Sequence, residues 1–160
     1  MCIRDSLDTK GWVHFIAATI SMITGTWIVL TTKATKLHKR VGYVYVISMI
    51  IVIITSFMIY RVFGGFGLFH GFAILSTIAL VGGMLPMLKK ERTPKDLAQH
   101  AEVMGWSVVG LYCAFISETC TRIEFNYALM VLGIGCGITC TLGSILIKRS
   151  KQKYFPEAKS

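Results

Sequence analysis

Four histidines are the side chains of this chain best suited to hold a metal ion or a haem iron, and each stands near one end of a long apolar stretch. A neutral imidazole is the axial ligand that b-type haem iron takes at both positions. The order along the chain predicts two pairs at two levels, one of His14 with His70 and one of His38 with His100.

The positions around each predicted helix indicate where these imidazoles point. At about 100° per residue, each of three histidines shares a helix face with small or polar residues. Such faces differ from the Ile, Val and Leu surfaces that suit lipid, so we expect the histidines to point inward. The shared faces are His14, Ala18, Ser21 and Gly25; His38, Gly42, Tyr45, Met49 and Ser56; and His100, Ser107, Leu111 and Glu118.

Two bis-histidine sites of haem b would make a transmembrane electron carrier, and this is the leading functional hypothesis. Lys33 and Arg40 beside His38 are candidates to meet haem propionates at one level, and Arg122 at the other. From His14 to the far end of the first helix, and from His100 to Glu118, the chain runs eighteen residues, or about 27 Å of helix. This length nearly crosses the bilayer core, so both histidine pairs lie close to the membrane edges. Structural roles for all four histidines at the headgroups remain an open alternative.

Glu118 is an ionisable residue inside an apolar stretch, which makes it a second candidate for function. Arg122 follows four residues later, so a simple ion pair on one helix is an equally open interpretation. At the predicted level of Glu118 lie His14 and His70. These three side chains form an alternative site for a transition metal, a quinone or another small ligand.

Composition predicts the elements that must position these residues. The chain has 160 residues, of which 54% are hydrophobic, and its mean hydropathy is +0.62. A bilayer core of about 30 Å needs about 20 apolar residues per helix. We therefore predict an all-α integral membrane protein with five transmembrane helices in an up-down bundle. The predicted spans are 11–32, 41–63, 68–88, 101–123 and 127–147.

The basic residues predict the orientation of the chain. Most of them lie in three segments that share one side of a five-helix protein: 33–40, 89–100 and the tail from 148. Because Lys and Arg favour cytoplasmic loops, we predict an outside N-terminus and a cytoplasmic C-terminus. The net charge of +9 then attracts anionic lipid, and it indicates no nucleic-acid partner.

Several local signals complete the predicted organisation. The stretch "TPKD" at 93–96 predicts a capped helix start near Pro94, and Pro86 predicts a kink at the end of the third helix. Gly133 and Gly137 predict close helix packing, with an oligomer through this face as a further expectation. Cys136 and Cys140 share a helix face and predict packing. No catalytic residue is predicted, and whether the protein is an enzyme stays open.

We predict one transmembrane domain over residues 11–149, preceded by an N-terminal segment at 1–10 and followed by a basic cytoplasmic tail at 150–160. The first six residues, "MCIRDS", resemble adaptor read-through, which predicts that the natural chain starts upstream. We draw no functional inference from them.

A structural accessory subunit, bound through the glycine face and the tail, is a third hypothesis. A redox partner or a quinone is the partner that the haem hypothesis implies.

With these residues in place, the chain resembles a bacterial family of predicted multi-pass membrane proteins, domain of unknown function 2306. The resemblance rests on "TKATKLHKRVGYVYVISM" at 32–49, with support from the blocks at 14–26, 66–76 and 100–122. Ala34 stands where the family often has Gly. The resemblance implies a membrane location, which we expect to be a bacterial inner membrane, and no activity. It marks these motif positions: His14, Lys33, His38, Gly42, His70, His100, Glu118 and Arg122. The alternate-helix pairing of histidines is similar to that of transmembrane ascorbate-reducible b cytochromes, as an analogy of arrangement.

Overall fold

The computed structural model describes residues 9–58, 68–120 and 125–156, and every regular element within these ranges is helical. Five helical segments there are long and apolar enough to cross a membrane, which confirms the predicted all-α membrane fold. A short 3-10 helix, Leu85–Leu88, extends the third. The helices are α1 Thr9–Leu30, α2 Lys36–Met58, α3 Leu68–Met84, α4 Pro94–Cys120 and α5 Phe125–Tyr154.

Helix α2 begins five residues before the predicted span, because a threonine caps it. The backbone N–H of His38 donates to Thr35 Oγ1 at 3.0 Å, and this bond satisfies one of the free donors at the helix start. The basic residues Lys36, Lys39 and Arg40 therefore lie on the first turns of α2 and not in a loop before it. A hydropathy pattern alone places the helix start where the charges end, which explains the difference.

Helix α4 begins at Pro94, as the capping signal predicts. Thr93 Oγ1 donates to Asp96 Oδ2 at 2.8 Å, and the backbone N–H of Asp96 donates to Thr93 Oγ1 at 3.2 Å. The backbone N–H of Thr93 also donates to Asp96 Oδ2, at 2.9 Å, which completes a capping box. Lys89 Nζ adds an ion pair at 2.5 Å to the other carboxylate oxygen of Asp96.

Helix α5 continues to Tyr154, past the predicted end of its apolar span. Its last turns carry the basic residues that the sequence places near a tail. Lys151 Nζ lies 2.5 Å from Glu102 Oε2 on α4, so this basic end is tied to the neighbouring helix. The amphiphilic end of α5 is thus a structured continuation of the helix as far as residue 154.

The chain forms two compact units, one within residues 1–77 and one within residues 78–160. In the first unit α1 packs along α2, and in the second α4 packs along α5 and against the 3-10 helix. Each unit contains its own buried side chains. The predicted single domain over 11–149 stays a prediction.

The contact between α1 and α2 is small and polar. Ser21 on α1 has no exposed surface, and its hydroxyl donates to Ser48 Oγ at 2.7 Å. Ser48 Oγ in turn donates to the Tyr45 carbonyl at 3.0 Å. Tyr45 and Met49 on α2 are also fully buried. Within the first unit, the Ser21 face of α1 and the Tyr45 face of α2 are therefore buried.

The contact between α4 and α5 depends on glycines, but not on the predicted pair. A Cβ atom on Gly143 would clash with Val109, and one on Gly105 would meet Ile147 Cγ1 at 2.8 Å. By contrast, a Cβ on Gly133 or Gly137 would meet no atom of the described residues within 4 Å. The predicted packing role therefore belongs to Gly105 and Gly143, and an oligomer through the Gly133 face stays a prediction.

Candidate functional site

His14 on α1 is half-buried and is held by α2. Its Nδ1 lies 2.8 Å from Thr55 Oγ1, and that hydroxyl donates its one hydrogen to a carbonyl of its own helix, Ile51 O at 2.7 Å. With the hydroxyl hydrogen directed to Ile51 O, Nδ1 of His14 is the donor to Thr55 Oγ1. The neutral ring then carries its lone pair on Nε2.

His70 on α3 is the most buried histidine, with 3% of its surface exposed. Its ring packs on Phe57 of α2, with a centroid distance of 6.0 Å and an interplanar angle of 48°. Thr55, which holds His14, is two residues from Phe57, so both histidines contact α2 within about 3 Å of the same height. The two α2 positions differ by about 200° around the helix, so the histidines reach it from different sides.

His100 on α4 is held by the end of α3. Its Nδ1–H donates to the Gly83 carbonyl at 2.7 Å, which again leaves the lone pair of the neutral ring on Nε2. Pro86 accounts for the availability of this carbonyl. From Leu85 the chain is a 3-10 helix, in which a carbonyl accepts from the N–H three residues later. For Gly83 O that residue is Pro86, which has no backbone N–H to donate.

His38 lies in the first turn of α2 and is half-buried. It belongs to the first unit and His100 to the second, so the predicted pairing of these two stays a prediction. Arg40, two residues later, is exposed, and Gly42 has space around its Cα among the described residues. This turn therefore presents cationic side chains to solvent or headgroups beside a partly sheltered imidazole.

Lys33 has a structural role that the sequence did not reveal. Its Nζ donates to the carbonyls of Ile28 at 2.5 Å and Val29 at 3.1 Å, which lie in the last turn of α1. A cation there satisfies free carbonyl groups and complements the helix dipole. Burial lowers the pKa of Lys33 below its usual value. The following residue, Ala34, has a φ of 63°, the left-handed conformation that favours Gly.

Glu118 is exposed and lies two residues before the end of α4. The neighbouring residue Ser117, with 3% exposure, lies on the buried side of the helix instead of Glu118. The expected ion pair with Arg122 lies outside the described residues. Within those residues no three His, Cys, Asp or Glu side chains are grouped so that they could hold a metal ion. The alternative site of His14, His70 and Glu118 stays a prediction.

A family model described as "Predicted membrane protein (DUF2306)" matches residues 11–147. The chain belongs to this family. All four histidines and Glu118 lie within the matched residues, so the histidine-bearing helix ends are part of what the family model covers. No curated protein and no solved structure matches the chain. The family description adds a membrane location and no activity.

Sequence reasoning missed the groups that hold the histidines. Neither Thr55 nor the Gly83 carbonyl can be recognised as a histidine partner from its residue type. Each contact with a histidine depends on which helices lie side by side. Pro86 was the one available signal, since a proline near a helix end frees a carbonyl nearby. The sequence also missed Cys113, whose thiol approaches Cys140 on the adjacent helix.

Proposed function

We propose that this family member is a haem b-binding membrane protein that carries electrons, with His14 and His70 as the axial ligands of one site. We extend the proposal to His38 and His100 as a second pair on sequence grounds alone. When bound, haem b supplies a one-electron couple. The chain supplies the ligands, their orientation and the surroundings that set the potential.

The observation that carries this proposal is the way in which two imidazoles are held. His14 and His100 each engage Nδ1 in a hydrogen bond to their own unit, at 2.8 and 2.7 Å, which favours a lone pair on Nε2. Metal-ligating histidines are almost always oriented in this way, by an N–H bond from the other ring nitrogen to a carbonyl or another acceptor. A histidine that only caps a helix needs no such arrangement.

The surroundings of the first pair also suit a redox cofactor. His70 is buried against the Phe57 ring, so its imidazole is shielded from water. His14 and His70 contact α2 at nearly the same height, and this equal depth, not a shared side of α2, is what supports naming them as partners. Phe57, which packs beside His70, is also a side chain on which a flat porphyrin could pack.

The orientation proposed with this function follows from the exposed cations. Lys36, Lys39 and Arg40 at the start of α2 are exposed, as are the basic residues of 89–95. Positive loops of this kind favour the cytoplasmic side and anionic lipid. We propose an outside N-terminus, a cytoplasmic C-terminus and residence in a bacterial inner membrane. On that orientation His14 and His70 lie near the outer surface.

The test measures haem content in the purified full chain after haem-replete expression. We expect the His14→Ala and His70→Ala variants each to lose the same one of two haems. Thr55→Val removes the acceptor for His14 Nδ1–H while it keeps the side-chain shape, so it should weaken haem binding about 10-fold. The matched control is Thr24→Val on α1, whose hydroxyl bonds to two carbonyls of its own helix, Ile20 O and Ser21 O.

Three results decide the proposal. Unchanged haem content in Thr24→Val, with the losses described for the other variants, supports it. A haem content that is unaffected by both histidine substitutions contradicts the ligand assignment. Equal losses in Thr55→Val and Thr24→Val contradict the role of the hydrogen bond, since only one of these hydroxyls contacts a histidine.

A further inference from the structure

Three thiols come together between α4 and α5. Cys113 Sγ on α4 lies 3.9 Å from Cys140 Sγ on α5, and Cys136 Sγ lies 3.9 Å from the Cys113 carbonyl. The three differ in exposure: Cys113 is buried, Cys136 is intermediate and Cys140 is exposed. The cluster lies wholly within the second unit and has no part in the proposed haem sites.

The thiol level interrupts a regular pattern along this helix pair. At three other levels, a glycine of one helix faces a branched side chain of the other, which lets the two backbones approach closely. At the thiol level, both helices present a cysteine. The glycine levels are Gly105 with Ile147, Gly143 with Val109, and Gly135 with Ile116.

This register places the two cysteines where a disulfide is geometrically accessible. Val109 and Gly143 pack one turn to one side of the thiols, and Ile116 and Gly135 pack about one turn to the other. The helices are therefore held close on both sides of the Cys113–Cys140 contact. A disulfide bond is about 2.0 Å long, so the two sulfurs, now 3.9 Å apart, must approach by about 1.9 Å to form it.

We propose that Cys113 and Cys140 form a reversible disulfide that ties α4 to α5, with a quinone of the lipid phase as the electron acceptor. The Sγ–Sγ bond forms as the two S–H bonds break, and the two thiols lose two electrons and two protons. The quinone takes up both electrons and both protons and leaves as the quinol. Reduction of the disulfide by two thiol equivalents restores the pair.

The exposure of Cys140 indicates why the oxidant comes from the lipid phase. Cys140 is exposed, and it lies in the segment Met130–Tyr154, which is long and apolar enough to cross a membrane. Its exposed neighbours on α5 include Ile138 and Leu142. An apolar oxidant dissolved in the bilayer can reach Sγ of Cys140 directly, whereas a charged, water-soluble oxidant cannot enter this region. Cys113 is then oxidised through Cys140.

The experiment uses the full chain in lipid nanodiscs, reduced at the start. One sample receives a short-chain benzoquinone and another receives glutathione disulfide. Remaining thiols are blocked with N-ethylmaleimide, and unreduced digests are analysed by mass spectrometry. We expect the quinone to produce a Cys113–Cys140 cross-linked peptide and to lower the number of labelled thiols by two, while glutathione disulfide does neither.

Variants make the assignment specific. Cys120→Ser removes the buried thiol at the end of α4 and should keep the quinone-dependent cross-link. Cys136→Ser should also keep it, whereas Cys140→Ser should abolish the Cys113–Cys140 peptide. Full thiol labelling of the wild-type protein after quinone treatment would overturn the proposal. Equal cross-linking by glutathione disulfide would overturn the lipid-phase route. Neither readout depends on haem, so this test is independent of the proposed function.

Discussion

The two helix pairs of this protein are held together by different chemistry. Helices α1 and α2 meet through side-chain hydrogen bonds, from Ser21 to Ser48 and between His14 and Thr55. Helices α4 and α5 meet through glycines packed under branched side chains, as at Gly143 and Val109. Lipid gives helices no hydrophobic reason to associate, so polar bonds and close packing are the two available solutions.

The comparison indicates where chemistry can be placed in such a protein. A polar contact already contains donors and acceptors that can orient an imidazole, as Thr55 does for His14. A glycine contact is dry and close, and the reactive groups that it can present are small ones such as the thiols of Cys113 and Cys140. The first pair of helices thus suits a ligand site, and the second suits a cross-link.

The largest expected effect comes from filling a glycine contact. Gly143→Leu would drive a side chain into Val109, and we expect this overpacking to lower the free energy of unfolding by about 2 kcal/mol. The matched control is Gly137→Leu, at a position where an added Cβ meets no described atom within 4 Å, and it should change stability by less than about 0.5 kcal/mol. Unfolding in mixed micelles, titrated with dodecyl sulfate and followed by tryptophan fluorescence, measures both. Equal losses would contradict the glycine assignment.

A smaller effect tests the polar contact. Ser21→Ala removes the donor to Ser48 Oγ, and interhelical hydrogen bonds in membranes average about 0.6 kcal/mol, so we expect a loss of this size. Thr24→Ala on the same helix is the control, because its hydroxyl bonds to Ile20 O and Ser21 O of α1 itself. The same titration distinguishes them. A Ser21→Ala variant as stable as the wild-type protein would show that the hydroxyl pair does not hold α1 to α2.

The smallest expected effect is a gain in the turn that joins the polar pair. Ala34 has a φ of 63°, and a left-handed alanine costs about 1–2 kcal/mol. Ala34→Gly removes that strain but adds freedom to the unfolded chain, so the net gain should be about 0.5 kcal/mol. A higher thermal midpoint in detergent checks this. Ala34→Val, which is β-branched, should lower the midpoint, and a Gly variant less stable than the wild-type protein would contradict the strain.

The sequence predicted the membrane fold because apolar length is a local property of the chain. It also predicted the start of α4, since Thr93, Pro94 and Asp96 form their cap within four residues. It failed for the packing glycines. Gly133 and Gly137 have the expected spacing, but only the position of α4 selects Gly135 and Gly143 instead.

The candidate site shows the same division. The four histidines could be found from their type and their places at helix ends, but their hydrogen-bond partners could not. Thr55 holds His14 from 41 positions away in the sequence, and the Gly83 carbonyl holds His100 from 17 positions away. Contacts of this kind depend on helix pairing, which one sequence does not encode in any local pattern.

The absorption spectrum of the purified full chain, oxidised and then reduced, tests the central claim most directly. If His14 and His70 bind haem b, protein expressed with ample haem should show a Soret band and the sharpened bands of a six-coordinate b-type haem on reduction. A spectrum with protein absorbance alone, from correctly folded protein, would contradict the haem assignment and leave the held imidazoles with a structural role.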